Sequence, residues 1–150
     1  CWFITPYLII TDEMTHALCL AAKRGIDVRI ITPGIPDKKM IYSVTRSFYH
    51  GLVKNGVRIY EWTPGFCHAK MSVADDCMAT CGTINLDYRS LYHHFENGCF
   101  MADSTAVLSI RNDLEETMKE CREVTEQYRT GRSAYLRLGQ LFMRLFAGLL

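Results

Sequence analysis

The residues best suited to catalysis lie between His68 and Glu96. Residues two positions apart on an extended strand project from the same face, so His68 and Lys70 would point together. Asp75 lies an odd number of positions from His68 and would point to the other face. An imidazole beside a fixed cation suits a phosphoester, because neutral histidine can attack phosphorus while the ammonium stabilises the charge on the phosphate.

Two more polar residues follow in the same stretch. Asn85, just after the Gly82-Thr83 turn, can donate a hydrogen bond to a phosphoryl oxygen. Glu96 can accept a hydrogen bond from the other imidazole nitrogen of His68, which would set the tautomer and stabilise positive charge on the ring. A histidine two residues before a lysine is common by chance, so the hypothesis depends on the joint spacing of all these residues.

The cysteines and histidines of this region permit a second interpretation, a zinc site. The candidate ligands are Cys67, His68, Cys77, Cys81, His93, His94 and Cys99. If Cys77 and Cys81 share a strand they are about 13 Å apart, too far for two zinc-thiolate bonds of about 2.3 Å. We therefore expect these cysteines to act as small buried hydrophobes. His93 and His94 are adjacent, so at most one of them faces the site.

Hydrophobic periodicity predicts the elements that position these residues. Strands are predicted at residues 1–5, 28–32 and 57–62. Amphipathic helices are predicted between Thr11 and Gly25 and between Met40 and Gly56. This strand-helix-strand order favours right-handed crossovers and parallel pairing. The first 62 residues therefore predict a parallel sheet covered by helices.

The pattern changes from Lys70 onward. Short strands are predicted at residues 70–73, 78–81 and 99–101, separated by turns, and should add antiparallel or mixed pairings. Helical spacing resumes at Ser104 and extends through Cys121 and Val124. The predicted fold is α/β, with a mixed, largely parallel sheet flanked by helices on both faces.

Composition limits the class of protein. A chain of 150 residues that is 49% hydrophobic can bury one domain core, and its net charge of +1 makes nucleic acid an unexpected partner. Seven cysteines without a framework pattern favour reduced thiols facing a cytosol. We find no signal peptide and no apolar run of about 20 residues. The chain starts at Cys1, which predicts a piece of a longer polypeptide.

The spacing of the candidate residues resembles the HKD motif of the phospholipase D superfamily. The matching positions are His68, Lys70, Asp75, Gly82, Thr83 and Asn85. Further segments resemble the second half of bacterial cardiolipin synthases. They are Ile4-Thr5-Pro6-Tyr7, Arg46-Ser47-Phe48-Tyr49, Tyr60-Glu61, Pro64-Gly65-Phe66 and Asn85-Leu86-Asp87-Tyr88-Arg89-Ser90. The resemblance implies a phospholipase D-like fold for residues 1–131, a catalytic half-domain with one HKD motif.

The resemblance also implies roles for the motif residues. Two HKD halves of one polypeptide would face each other, one histidine attacking phosphorus and the other protonating the leaving alcohol. His68 would be the nucleophile or its general-acid counterpart. Lys70 and Asn85 would bind phosphate, and Glu96 would support the histidine. Asp75, the third residue of the catalytic motif, is expected to steady the local structure.

Thr83 stands where the motif usually has serine, in the substrate-binding part of the site. It keeps the hydroxyl group and adds a methyl that would narrow the pocket. The motif has no pair of carboxylates placed to hold a metal ion, so we expect no metal and no other cofactor.

The same resemblance implies the partners and the location. The substrate would be phosphatidylglycerol or a related phospholipid at the membrane surface. The structural partner would be an N-terminal HKD half of the same polypeptide or a second copy of this chain. The catalytic domain would lie on the cytoplasmic side of the cell membrane, with a transmembrane anchor upstream of this sequence.

Alternatives remain at three points. The same residues could transfer the phosphatidyl group to an alcohol, or hydrolyse phosphodiesters as a phospholipase D or a nuclease. A degenerate half-domain kept for docking or assembly would be expected to lose His68, Lys70 or Asn85 first, and all three are present. Residues 132–150 predict an amphipathic helix whose apolar face fits a membrane interface or packing on protein about equally well. A membrane substrate slightly favours contact with the membrane.

Overall fold

The computed structural model describes residues 1–130 of the chain, and this part adopts an α/β fold. Its strands are β1 (Trp2–Ile4), β2 (Leu8–Ile9), β3 (Arg29–Pro33), β4 (Arg58–Trp62), β5 (Met71–Ala74), β6 (Met78–Gly82), β7 (Leu86–Asp87), β8 (Gly98–Ala102) and β9 (Cys121–Glu123). Its helices are α1 (Asp12–Lys23), α2 (Lys39–Lys54), α3 (Thr105–Lys119) and α4 (Thr125–Thr130), with a short π-helical segment at Arg89–His93.

Seven strands form one mixed sheet in the order β8-β6-β5-β1-β3-β4-β9. The central strands β1, β3 and β4 pair in parallel, and the other neighbours pair antiparallel. The predicted α/β class and mixed sheet are confirmed, but two pairings are parallel and four antiparallel, so the sheet is not largely parallel. Helices α1 and α2 supply the long crossovers that parallel strands need, whereas a tight turn joins β5 to β6.

Helices cover both faces of the sheet, as predicted. Successive residues of a strand point to opposite faces, and Ile30 and Ile31 of β3 accordingly belong to different cores. Ile30 packs in the core under α1, α2 and α4, which includes the fully buried Tyr49. Ile31 packs in the core under α3, which includes Leu114. The sheet is therefore the middle layer of three.

Caps confirm both predicted ends of α1 and the predicted C-terminal end of α2. The Thr11 side chain accepts a hydrogen bond from the Met14 amide at 3.2 Å, which makes Thr11 the N-cap of α1. Gly25 and Gly56 follow the two helices with φ of 91° and 99°. Positive φ is common just beyond a helix and is adopted most easily by glycine.

The predicted continuation of α3 through Cys121 and Val124 is wrong. Helix α3 ends at Lys119, and Cys121–Glu123 forms strand β9 on the edge of β4. One physical reason is the fully buried carboxylate of Glu61 on β4. An Arg122 guanidinium nitrogen lies 2.7 Å from it, and the Arg46 side chain of α2 binds its other oxygen at 2.9 Å. Pairing β9 with β4 brings Arg122 to the Glu61 carboxylate as a second cation beside Arg46. A buried carboxylate without such partners would strongly destabilise the fold.

Two strands absent from the predictions form a small second sheet. Strand β2 pairs in parallel with β7, with Leu8 opposite Leu86 and Ile9 opposite Asp87. The Leu86 amide also donates to Thr5 Oγ1 at 3.1 Å. These contacts hold the chain that follows Asn85 against the end of β1.

None of the helices within residues 1–130 is long and apolar enough to cross a bilayer. The C-terminal helix predicted at residues 132–150 lies outside the described residues. Its packing on membrane or on protein stays a prediction.

Candidate active site

The candidate active site lies where the ends of several strands meet: β1 and β6 end here, and β5 and β8 begin here. Two backbone hydrogen bonds hold these strand ends together. The Gly82 amide donates to the Lys70 carbonyl at 3.2 Å, and the Thr83 amide donates to the Asn97 carbonyl at 2.8 Å. The residues around the HKD motif therefore converge although they come from separate strands.

His68 and Lys70 lie just before the first residue of β5, and both line one open groove of about 420 Å³. Thr83 and Asn85 line the same groove. The imidazole of His68 is exposed and lies against Phe66, with ring centroids 5.8 Å apart. The structure thus brings together the predicted nucleophile, cation and phosphate donor in one solvent-facing concavity.

Lys70 is held close to the backbone of the motif. Its Nζ donates a hydrogen bond to the His68 carbonyl at 2.7 Å. Partial burial lowers the pKa of Lys70, while the nearby charges of Glu96 and Asp87 act in the opposite direction. The ammonium group is therefore anchored at the groove, where a phosphate would supply further negative charge.

The Asn85 side chain is oriented by Ser90, a residue outside the HKD motif. Its Nδ2 donates to the Ser90 hydroxyl oxygen at 3.1 Å. Its Oδ1 is buried and has no hydrogen-bond partner among the described residues. An amide nitrogen has two N–H groups, so the second can donate to a phosphoryl oxygen in the groove.

Glu96 contacts a different set of groups from the one predicted. No hydrogen bond between Glu96 and His68 is present in the described part of the chain. The Thr83 hydroxyl donates to Glu96, and His94 Nδ1 lies 3.6 Å from Glu96 Oε1. The pKa of Glu96 is lowered, chiefly by the Thr83 hydroxyl and then by the Ser90 hydroxyl. The structure thus places Glu96 beside the groove and fixes its carboxylate through Thr83.

Asp75 is not brought to the groove. It lies at the opposite end of β5, in the turn to β6 that is closed by a hydrogen bond from the Cys77 amide to the Ala74 carbonyl at 3.2 Å. Asp75 and Asp76 both have positive φ, 51° and 55°, as a type I′ hairpin turn requires. Its geometry therefore matches the expected structural role and separates Asp75 from the reacting groups.

Sequence reasoning missed Asp87 and Ser90 as contributors to the site. The Ser90 amide donates to Asp87 Oδ1 at 2.7 Å, and both residues are buried. An aspartate three residues before an amide donor is the spacing of a helix N-cap. This local signal could have predicted the helical turn at Arg89–His93, which places Ser90 against Asn85.

Of the cysteines expected to act as small buried hydrophobes, Cys67 is partly buried and packs against the core under α3, but the others near the site do not fit this role. Cys77 lies in the β5–β6 turn, and Cys81 and Cys99 are exposed and face each other across β6 and β8. Within residues 1–130, no three histidine, cysteine or acidic side chains are grouped closely enough to hold a metal ion.

Gly82 is required by close backbone packing, and its substitution gives a testable prediction. A Cβ at this position would lie 2.3 Å from the Asn97 carbonyl oxygen and 2.6 Å from Gly98 Cα. Gly82→Ala should therefore destabilise the domain by about 1–3 kcal/mol in urea unfolding, because backbone must move. Gly51→Ala in α2 is the matched control: nothing lies within 4 Å of the new Cβ, and stability should rise by about 0.5–1 kcal/mol. Unchanged stability of Gly82→Ala would contradict the packing described.

The fold is that of the phospholipase D class of proteins. The phospholipase D family member Nuc from Salmonella typhimurium aligns with 81% of this chain and 78% of its own, with a TM-score of 0.69 and 16% identity. Phosphatidylserine synthase from Haemophilus influenzae aligns with 99% of this chain and 39% of its own, with a TM-score of 0.69 and 18% identity. At these identities the likeness concerns the fold.

Sequence similarity then narrows the class to a family. Residues 1–118 match the family model described as cardiolipin synthase, PLD-like domain. Cardiolipin synthase 2 of Bacillus cereus is 35% identical over 149 residues, which are 99% of this chain and 29% of that protein. The chain belongs to the cardiolipin synthase family of phospholipase D-like enzymes, which confirms the resemblance noted in the motif. It spans about three-tenths of the length of the curated relatives it matches.

Proposed function

We propose that this chain is the C-terminal catalytic half of a phosphatidyltransferase that makes cardiolipin and glycerol from two molecules of phosphatidylglycerol. The observation that carries the proposal is the groove that His68, Lys70, Thr83 and Asn85 line together. It combines an exposed nucleophile with a cation and an amide donor, the groups needed to attack and hold a phosphodiester. Family membership supports the lipid substrate.

The reaction would proceed in two displacements at phosphorus. One of the two motif histidines, His68 or its counterpart, attacks the phosphodiester, and the bond from phosphorus to the terminal glycerol oxygen breaks. The other histidine gives its proton to that oxygen, and glycerol leaves. The hydroxyl of a second phosphatidylglycerol then attacks the phosphohistidine and gives its proton to the second histidine. The phosphorus–nitrogen bond breaks, and cardiolipin forms.

The residues of this half have distinct tasks in both displacements. Lys70 and Asn85 would stabilise the negative charge that accumulates on the phosphoryl oxygens as phosphorus passes through five-coordination. Glu96 would stabilise the positive charge of Lys70 at the groove, and the Thr83 hydroxyl would hold the Glu96 carboxylate in place. Asp75 would maintain the β5–β6 hairpin.

Part of one sheet face, over β5, β6 and β8, is left uncovered by the elements within residues 1–130, which supports the need for a second half. Helix α3 covers one face of β5, β6 and β8, where Val73 and Ala79 are buried. The opposite face of these strands carries a hydrogen bond of 2.7 Å between the Ser72 and Thr80 hydroxyls, and Phe100 beside them is 66% exposed. We propose that the N-terminal HKD half, or a second copy of this chain, packs near this face and brings the second histidine to the groove.

The substrate also determines the proposed location. Phosphatidylglycerol is a membrane lipid, so the open groove must face a membrane surface during turnover. We propose that the domain works on the cytoplasmic side of the cell membrane, anchored by a segment outside this sequence.

Product analysis of the full-length enzyme tests this function. Phosphatidylglycerol labelled in its acyl chains would be supplied in detergent micelles, and the lipid products separated by chromatography. We expect cardiolipin as the main product, with one glycerol released for each cardiolipin formed. Phosphatidic acid in place of cardiolipin at every substrate concentration would identify the enzyme as a hydrolase and overturn the proposal.

A further inference from the structure

Ser90 lies at the centre of a hydrogen-bond network behind the groove. Its residue surface is 6% exposed, and its amide is fixed by Asp87 Oδ1 at 2.7 Å. Its hydroxyl oxygen accepts the hydrogen bond from Asn85 Nδ2 at 3.1 Å. Ser90 is therefore held by the backbone and in turn orients the amide that faces the phosphate position.

The hydroxyl proton of Ser90 remains available for a second bond. A serine hydroxyl has one donor and two acceptor positions, so accepting from Asn85 leaves its proton free to donate. The hydroxyl also lies close enough to Glu96 to contribute to the lowered pKa of that carboxyl group. A single buried hydroxyl thus contacts the Asn85 amide and acts on the Glu96 carboxylate.

The surroundings of Glu96 come from several elements. The Thr83 hydroxyl approaches from the end of β6, and Ser90 approaches from the π-helical turn. His94, from the same loop, and Lys70, from the start of β5, are the charged or titratable groups that act on it. The Thr83 hydroxyl therefore holds the carboxylate, and the Ser90 hydroxyl acts on it from the π-helical turn.

We propose that Ser90 is a positioning residue, which fixes the Asn85 amide and the Glu96 carboxylate relative to each other. The inference rests on the proposed function of the groove. Ser90 touches no reacting atom and acts through these two neighbours. Without its hydroxyl, the Asn85 amide loses the bond that selects its orientation, and Glu96 loses a neighbouring hydroxyl that lowers its pKa.

The test uses Ser90→Ala in the full-length enzyme and measures glycerol release from phosphatidylglycerol micelles. Transfer and hydrolysis each release one glycerol, so this assay does not depend on which reaction the enzyme performs. We expect kcat to fall about 10- to 100-fold, the range for a buried polar group that loses its hydrogen-bond partner, with KM changed less than about threefold. The acid limb of the kcat/KM profile should move to higher pH, because losing a donor raises the pKa of Glu96.

Two further variants separate positioning from general stability. Ser90→Thr keeps the hydroxyl and should recover most of kcat and the original acid limb. Ser47→Ala removes a half-buried hydroxyl that bonds the Val44 carbonyl in α2, and its pH profile should match the wild type. If the added methyl prevents Ser90→Thr from folding, Ser90→Ala is introduced beside Asn85→Ala instead. It should then reduce kcat less than it does alone, because its effect through Asn85 is already lost.

A Ser90→Ala enzyme whose pH profile superimposes on that of the wild type would overturn the positioning role. Loss confined to KM or to thermal stability would overturn it as well. Neither result depends on the lipid product. This test can therefore be interpreted even if the separate product analysis finds phosphatidic acid.

Discussion

His68→Ala in the full-length enzyme should reduce the release of glycerol from phosphatidylglycerol by at least about 10⁴-fold. The reason is that His68 is either the group that attacks phosphorus or the group that protonates the leaving oxygen, and neither displacement proceeds without it. Removing a catalytic nucleophile in a well-studied hydrolase costs about 10⁶-fold in kcat, so a loss of this size is reasonable. The measurement is initial-rate glycerol release in micelles.

The structure predicts that this loss is chemical and not a loss of folding. The His68 side chain is exposed, and within residues 1–130 its ring contact is with Phe66 alone. The thermal unfolding midpoint of His68→Ala should therefore match that of the wild type. His16→Ala, which removes an exposed imidazole from α1, is the matched control and should keep full activity. Turnover of His68→Ala within tenfold of the wild type would show that the groove is not the catalytic site.

The 150-residue chain purified by itself should have almost no activity as a monomer. It contains one HKD motif, and the mechanism needs a second histidine to exchange protons with the departing and arriving oxygens. Activity should appear only with self-association, which would bring two His68 side chains to one groove. Glycerol release measured against protein concentration, beside sedimentation of the same samples, would reveal this dependence.

Robust turnover by a species shown to be monomeric would contradict the two-histidine mechanism. A mixture of wild-type chain and His68→Ala chain provides the control. If two histidines are needed, mixed dimers should be inactive, and specific activity should fall faster than the fraction of wild-type chain.

Local signals explain the parts of the fold that the sequence predicts. Thr11 and Gly25 mark the two ends of α1, and the periodic apolar residues between them indicate the face that packs on the sheet. The long crossovers α1 and α2 make the pairing of β1, β3 and β4 parallel. These features depend on residues close together in the chain, which is why they are visible without a structure.

Non-local contacts explain the parts that the sequence does not predict. Cys121 and Val124 fit helical spacing, yet Cys121–Glu123 pairs with β4, which carries the buried Glu61, and forms strand β9. The charge that Arg122 meets lies 61 positions earlier in the chain. Periodicity contains no information on such a pairing, so the antiparallel edge strand β9 is missed, whereas the antiparallel strands β5, β6 and β8 are predicted from the short strands and turns that follow Lys70.

The candidate site also has features that the sequence predicts and features that it does not. His68, Lys70 and Asn85, which the motif spacing groups together, line one groove, and Asp75 lies away from it. The reason for Asp75 is not the expected strand alternation, because Asp75 lies in the turn beyond the end of β5. The partner of Glu96 is different, because the loop before β8 brings it to Thr83 instead of His68. That geometry depends on how the ends of β6 and β8 meet at Gly82, a close approach that spacing alone does not reveal.

The covalent phosphohistidine is the central feature of the proposed mechanism. The full-length enzyme would be mixed rapidly with phosphatidylglycerol labelled at phosphorus, quenched within one turnover, and digested to peptides. If the mechanism is correct, we expect protein-bound phosphorus that is stable to alkali and labile to acid. It should be located on His68 or on the motif histidine of the other half. It should be chased into cardiolipin by unlabelled phosphatidylglycerol and be absent from His68→Ala. Cardiolipin formation with no protein-bound phosphorus at any time in the first turnover would contradict it.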